Sequence, residues 1–306
     1  LKEFENEYAL YSDHHADNQQ ASLMSEINIG SNLDYHWLCH RSFHTVVEPL
    51  MEEGLTVLEV HLDLRVAEIA DHIEFLCESA AAEGLGVNFH APFLEPPLMY
   101  GFSGEEQEII ISHWTPVLDI VNRYANTNGI RSEMVLHGSH GPDADMKVLL
   151  ADTIGISRWI LEYCPNIFLG IENLPTPRNP NELVKFGENR ESVLEAVKLV
   201  AHPRCGITWD MGHCVRNKVF DLPTDEWIQR VVHVHLHDVD KDRQDHWPLI
   251  LGSTPYRTWI SALKAQGFAG TITAELNSKL YNGWTQEEID QNLLKTIEKI
   301  RIALEQ

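Results

Sequence analysis

Eight short apolar runs, separated by stretches long enough for a helix, constrain this chain more than any other feature. The runs are Ile27–Ser31, Thr56–Leu62, Gly86–His90, Met134–His137, Ile167–Glu172, Gly206–Asp210, Val231–His237 and Thr271–Leu276. Each is rich in Val, Ile or Thr and bounded by Gly, Pro, Asn or Asp, the pattern of a buried strand. Helical patterns lie between them: Val66–Glu83 with Ile69, Ile73 and Leu76 on one face, a helix carrying Leu118, Ile120, Val121 and Tyr124, then Lys147–Tyr163, Glu182–Ala201, Pro255–Ala265 and Thr285–Leu304. Pro142 and Asp143 precede one helix, Thr285 with Glu288 forms a capping-box pattern, and Gly84 and Gly267 follow helix ends. Strand–helix alternation of this kind predicts an α/β protein, a single-domain (β/α)8 TIM barrel over 26–306, preceded by a polar N-terminal extension over 1–25. A doubly wound sheet is the alternative, but no GxGxxG or GxxxxGK[ST] loop supports it, so no nucleotide cofactor is expected.

Composition narrows the function classes. Hydrophobic residues make up 43% and charged residues 23% of the 306, which excludes a disordered chain. No stretch approaches the roughly 20 apolar residues that span a bilayer, so no membrane partner is expected. The net charge of −23 repels phosphate backbones and disfavours nucleic acid as a partner. Five cysteines without a CxxC fit reduced thiols in a cytoplasmic protein.

In a barrel, alternate side chains of each strand point inward and catalytic groups gather at the C-terminal mouth. With Leu169 and Ile171 facing the helices, Glu172 points in; Asp210 ends the next strand the same way. Val232, Val234 and Leu236 face out, leaving His233, His235 and His237 inside, and Glu275 is inward between Ala274 and Leu276. Strands three and four end in His90 and His137, so six consecutive strands finish on an ionisable group. One such group is ordinarily a satisfied structural residue, but six converging unpaired would cost more than folding tolerates. A divalent cation resolves this, and the mixed Glu/Asp/His set suits Mn²⁺, Mg²⁺, Co²⁺ or Zn²⁺.

The segments Asn88–Pro92, Leu136–His140, Gly170–Asn173, Trp209–His213, His235–Asp238 and Ala274–Leu276 resemble the xylose isomerase-like TIM-barrel superfamily, which holds sugar isomerases and epimerases, inosose dehydratases and the endonuclease IV branch. The resemblance implies one divalent metal ion held by Glu172, Asp210, His235 and Glu275. It further implies that Glu172 and Glu275 flank a sugar or polyol as catalytic acid and base, moving a proton beside a carbonyl that the metal polarises. His90, His137, His213, His246, Trp247 and Arg243 are the implied substrate contacts. Arg243 is the sixth residue after His237, whereas the sixth after His235 is Lys241, so the seventh strand offers two registers. A metal-dependent phosphodiesterase of the endonuclease IV type is the second reading, with His90, His137, His213 and His246 as extra ligands of a three-zinc cluster. Against it stand Gln244 where that branch has the Asp of Asp-x-His, and the missing Pro in His137-Gly138-Ser139-His140. A dehydratase on the same site and a barrel that only binds a partner are the remaining alternatives, and a homo-oligomer is compatible with all of them.

Other features are weaker. His36, His40 and His44 share a helix face but lack the glutamate of HExxH. His61, two residues after Glu59, reads as a mouth residue or a second-layer partner. Trp37, Trp114, Trp247 and Trp284 are candidates to stack on a sugar ring, Trp247 first. Cys214 beside His213 resembles a dyad only in sequence.

Overall fold

The computed structural model describes residues 27–33, 41–64, 66–93, 99–141, 145–177, 183–277 and 280–306. The expected extension over 1–25 and the residues Trp37, His36, His40 and Cys39 lie outside them. Eight strands among the described residues close into a parallel barrel: β1 (Asn28–Asn32), β2 (Val57–His61), β3 (Gly86–His90), β4 (Ser132–Leu136), β5 (Ile167–Glu172), β6 (Cys205–Asp210), β7 (Val231–Leu236) and β8 (Thr271–Ala274). They follow one another around the ring in chain order, and β1 closes on β8 with Asn28 opposite Thr271. The register between β6 and β7 shifts at Ile207 and Thr208, midway along β6, before the strand reaches Asp210.

The helices are α1 (Phe43–Glu52), α2 (Val66–Ala82), α3 (Gln107–Tyr124), α4 (Met146–Tyr163), α5 (Arg190–Val200), α6 (Met211–Arg216), α7 (Asp225–Ile228), α8 (Tyr256–Ala265) and α9 (Gln286–Glu305). Thr285 and Glu288 form the expected capping box at α9. Helix α5 starts later than the sequence pattern suggests, because Asn189 caps it through the Ser192 N–H, and Val184–Lys185 instead pairs with His140–Gly141. Helix α4 is capped by Asp145; Pro142 and Asp143 are outside the described residues. Among those residues no helix is long and apolar enough to cross a membrane.

Outward-facing Leu169, Ile171, Val234, Leu236, Ile272 and Ala274 are buried against the helices and form the main apolar core. The barrel interior is different. His233 on β7 reaches Glu59 on β2 and Glu133 on β4, so polar side chains cross the lumen where aliphatic layers usually fill it. Glu133 is fixed by Asn88, by the Thr271 N–H and by Arg131, whose guanidinium also lies 4.3 Å over the Phe168 ring. Cys77, Cys164, Cys205 and Cys214 are free and buried, and burial pushes the thiols of the first three up to about 12.

Replacing Thr285 with Ala removes the hydroxyl half of the α9 capping box, leaving the Glu288 carboxylate on the backbone N–H of residue 285, and should cost about 1 kcal/mol. Urea denaturation of the variant, read by circular dichroism, should show a lower midpoint at an unchanged slope.

Candidate metal centre

Four strand ends build the centre. Glu172 closes β5, Asp210 closes β6, His235 is next to last in β7, and Glu275 follows β8 directly. All four are buried, and each offers a donor atom within 4.8 Å of the others. His235 Nδ1 lies 3.0 Å from Glu275 Oε2, 3.7 Å from Glu172 Oε1 and 3.9 Å from Asp210 Oδ2. His235 Nδ1, both Glu172 carboxylate oxygens and Glu275 Oε2 make no hydrogen bond with the described residues. Buried polar atoms left without hydrogen bonds are costly, and the gathering of the Glu172, Asp210 and Glu275 carboxylates demands positive charge. The residues present therefore fit a divalent cation, which needs lone pairs and excess negative charge.

Local sequence explains the placement of Asp210. Strand β6 runs straight into α6, and Asp210 is the cap: its Oδ1 accepts the His213 N–H at 2.6 Å. Asn173 locks it from the neighbouring strand, donating to the Asp210 carbonyl at 2.8 Å and accepting the Asp210 N–H at 2.9 Å. His237 braces it from the other side, with Nε2 3.2 Å from Asp210 Oδ2. The Nδ1 of His237 accepts the backbone N–H of His246 at 2.9 Å, which leaves the ring proton on Nε2, aimed at Asp210. Gly212 makes room for that ring, since a Cβ there would sit 1.9 Å from His237 Cε1.

Two further groups flank the central four. On one side His90 and His137 share Glu172; on the other, Asp210 is grouped with His213, His237 and His246. His90 donates Nδ1–H to the Ala91 carbonyl at 2.8 Å, so its Nε2 lone pair faces Glu172 Oε2 at 3.7 Å. His137 Nε2 is 3.1 Å from the same oxygen. His213 Nδ1 lies 3.0 Å from the Asn173 carbonyl and 3.1 Å from Asp210 Oδ2. His246 Nε2 lies 3.2 Å from Glu275 Oε2.

The β7–α8 loop brings His246 and Trp247 in. Asp238 and Trp247 exchange backbone hydrogen bonds at 2.8 and 3.1 Å. The Asp238 carboxylate accepts from the N–H groups of Leu251, Gly252 and Thr254 and from the Ser253 hydroxyl. Trp247 packs beside Tyr281 and Trp284, which stack on each other at 4.8 Å. Arg243 is exposed on the same loop, its Nε donating to the Arg216 carbonyl at 2.9 Å, and Lys241 is exposed as well. Arg216 in turn pairs with Asp245, beside His213 and His246. His61 borders the mouth, its ring 4.8 Å from that of His90, and Phe93 packs edge-on against both. Trp114 is buried in the core. Cys214 takes hydrogen bonds from Asn173 and Arg190 and has its thiol pushed up by burial, so it forms no dyad with His213. Of the supporting residues, Glu59 carries a sequence signal in its period-two spacing from His61 and Asn173 in its place beside Glu172 in the Gly170–Asn173 segment, while Glu133 carries none.

Without a cation the charges lean on each other. Burial alone would raise Glu172 and Glu275, but His137 for the first and His235 with His246 for the second hold them well below the usual 4.5. Burial alone would lower His235 and His246, but Glu275, with Glu59 and Asp245 respectively, raises both well above 6.5. The carboxylates thus contribute stability above pH 4.5 that is lost as pH falls through their folded values. The histidines contribute stability below pH 6.5 that is lost as pH rises through theirs. The chelator-treated protein should therefore melt at progressively lower temperature as pH rises above about 6.5. Saturating Mn²⁺ should flatten that alkaline limb, because a ligated nitrogen has no proton to lose; parallel thermal melts across pH check this.

Residues 47–300 match the family model described as "Xylose isomerase-like TIM barrel". A curated relative, an uncharacterised protein of Methanocaldococcus jannaschii, is 28% identical over 138 residues, which cover 43% of this chain; the chain spans 44% of that relative's length. Among solved structures, a D-tagatose 3-epimerase-like protein is similar with a TM-score of 0.62 at 19% identity, covering 90% of this chain and 98% of that one. D-psicose 3-epimerase from Clostridium cellulolyticum H10, solved with D-tagatose, gives 0.66 at 14% identity over 91% and 99%. The probable 3-DHS dehydratase of petrobactin synthesis from Bacillus anthracis gives 0.62 at 14% identity over 90% and 98%. These likenesses establish the fold, and the family match over most of the chain establishes its kinship: the chain belongs to the xylose isomerase-like TIM-barrel family.

Proposed function

We propose that this chain is a divalent-metal-dependent sugar isomerase or epimerase that moves a proton next to a carbonyl, with Glu172 and Glu275 as the paired acid and base. The observation that carries this reading is the convergence of Glu172, Asp210, His235 and Glu275 within 4.8 Å. The two glutamates stand three strands apart on the ring, so they approach from different directions. A bound cation, Mn²⁺, Mg²⁺, Co²⁺ or Zn²⁺, supplies polarisation of the substrate carbonyl. One glutamate takes the proton from the adjacent carbon and the other returns one. Each lies beside a partly exposed imidazole, His137 at 3.1 Å from Glu172 and His246 at 3.2 Å from Glu275, which gives each carboxylate a partner for exchanging its proton. These histidines, with His90, His213 and Trp247, line the place where sugar hydroxyls would bind. The epimerase-like solved structures support a small sugar or polyol as substrate. A dehydratase would begin with the same proton abstraction, and the 3-DHS dehydratase likeness keeps elimination close to this reading. Free buried thiols suit a cytoplasmic site of action.

A metal-dependent phosphodiesterase is the second reading, favoured by the two flanking donor groups that share Glu172 and Asp210 with the central one. The tautomer of His237 and the net charge of −23 weigh against it.

Protein purified without chelator should contain about one divalent ion per chain by elemental analysis for the sugar enzyme, against up to three for the phosphodiesterase. A panel of ketoses and inososes incubated in D₂O should include one that gains deuterium at carbon. In the Glu275→Gln variant that incorporation should fall by about 10²-fold or more with the fold unchanged. Cleavage of abasic DNA without any deuterium uptake would reverse the ranking.

A further inference from the structure

We propose that Glu59 is a positioning residue of the metal centre, holding the His235 imidazole so that Nδ1 is the nitrogen presented to the cation. This rests on the reading that Glu172, Asp210, His235 and Glu275 hold a divalent ion. Glu59 is the middle residue of β2, three strands from β7 around the ring, and its side chain is wholly enclosed in the barrel. Its two carboxylate oxygens lie 3.1 and 3.2 Å from His235 Nε2. An imidazole whose Nε2–H is committed to a carboxylate can offer a lone pair only at Nδ1, and it becomes a better donor there. That same Nδ1 is the atom without a hydrogen bond, 3.0 Å from Glu275 Oε2. Both ends of the ring are thereby assigned, one to Glu59 and the other to the centre.

Glu59 is itself held. Its Oε2 lies 2.9 Å from His233 Nε2, and His233 Nδ1 lies 2.7 Å from Glu133 Oε2. Arg131 binds Glu133 Oε1 through Nε at 3.1 Å and Nη2 at 2.5 Å. The column therefore runs from the mouth to the partly exposed Arg131 at the start of β4. Glu59, His233 and His235 also lie close enough together to hold a cation of their own. However, both Glu59 oxygens accept hydrogen bonds from His235, whereas both Glu172 oxygens and Glu275 Oε2 are buried without one. Within the trio, Glu59 is hydrogen-bonded to His235 Nε2 and lies in charge contact with His233 Nε2, whereas at the centre His235 Nδ1 and the Glu172 and Glu275 oxygens are the atoms left for an ion.

The test uses the full chain, stripped of metal and titrated with Mn²⁺, the free ion being followed by electron paramagnetic resonance. Glu59→Gln keeps the side-chain volume and should bind the central ion about 10- to 100-fold more weakly, with unchanged stoichiometry and circular dichroism. Affinity within about twofold of wild type would overturn the proposal, as would the loss of one of two bound ions, which would make Glu59 a ligand. A second measurement needs no variant. In wild-type protein labelled with [15N]histidine and loaded with Zn²⁺, long-range 1H–15N correlations should show His235 bound through Nδ1 and protonated at Nε2. Binding through Nε2 would refute the assignment even if Glu59→Gln fails to fold. A wild-type chain that takes up no Mn²⁺ would instead defeat the metal reading itself, which separates the two failures.

Discussion

Three carboxylates converging out of reach of water set the terms for the rest of this molecule. Glu172, Asp210 and Glu275 are each almost wholly buried, and their mutual repulsion in a low-dielectric pocket must be met by positive charge. In the metal-free protein, histidines meet it: His137 and His213 at Glu172, and His235 and His246 at Glu275. A divalent cation would do the same with greater charge in less space. The abundance of histidine at the mouth follows from this requirement.

Much of this was legible in the chain. Strands of a closed parallel barrel are covered on their outer faces by helices, so they appear as dense apolar runs, and all eight emerged within two residues of their observed limits. The convergence of Glu172, Asp210 and Glu275 is legible because period-two alternation makes an inward Glu or Asp at a strand end conspicuous. The register of β7 was not, since His235 and His237 both point inward. They are distinguished by what occupies Nδ1, a backbone N–H from His246 for His237 and nothing for His235, and only the folded loop decides that.

Glu59 and Glu133 escaped for a related reason. A single acid inside a strand reads as an isolated group, and its partners lie 176 and 100 residues away in sequence. Such pairings are fixed by barrel closure and leave no local pattern. The late start of α5 has a simpler origin: Asn189 offers a cap that helical periodicity does not weigh.

Asp238 has a consequence for how the mouth can change. With four donors from residues 251–254 gathered on one carboxylate, the segment after β7 is closed into a loop anchored at both ends beside the metal centre. The residues between the anchors hang from a fixed frame. The exposed Lys241 side chain at the tip can change without disturbing His237, whose carbonyl accepts the Thr254 hydroxyl, while Asp245 and His246 stay paired with Arg216 and Glu275. The tip of the loop and the carboxylate cluster beneath it are therefore separable in this barrel: the one can change while the other keeps its geometry.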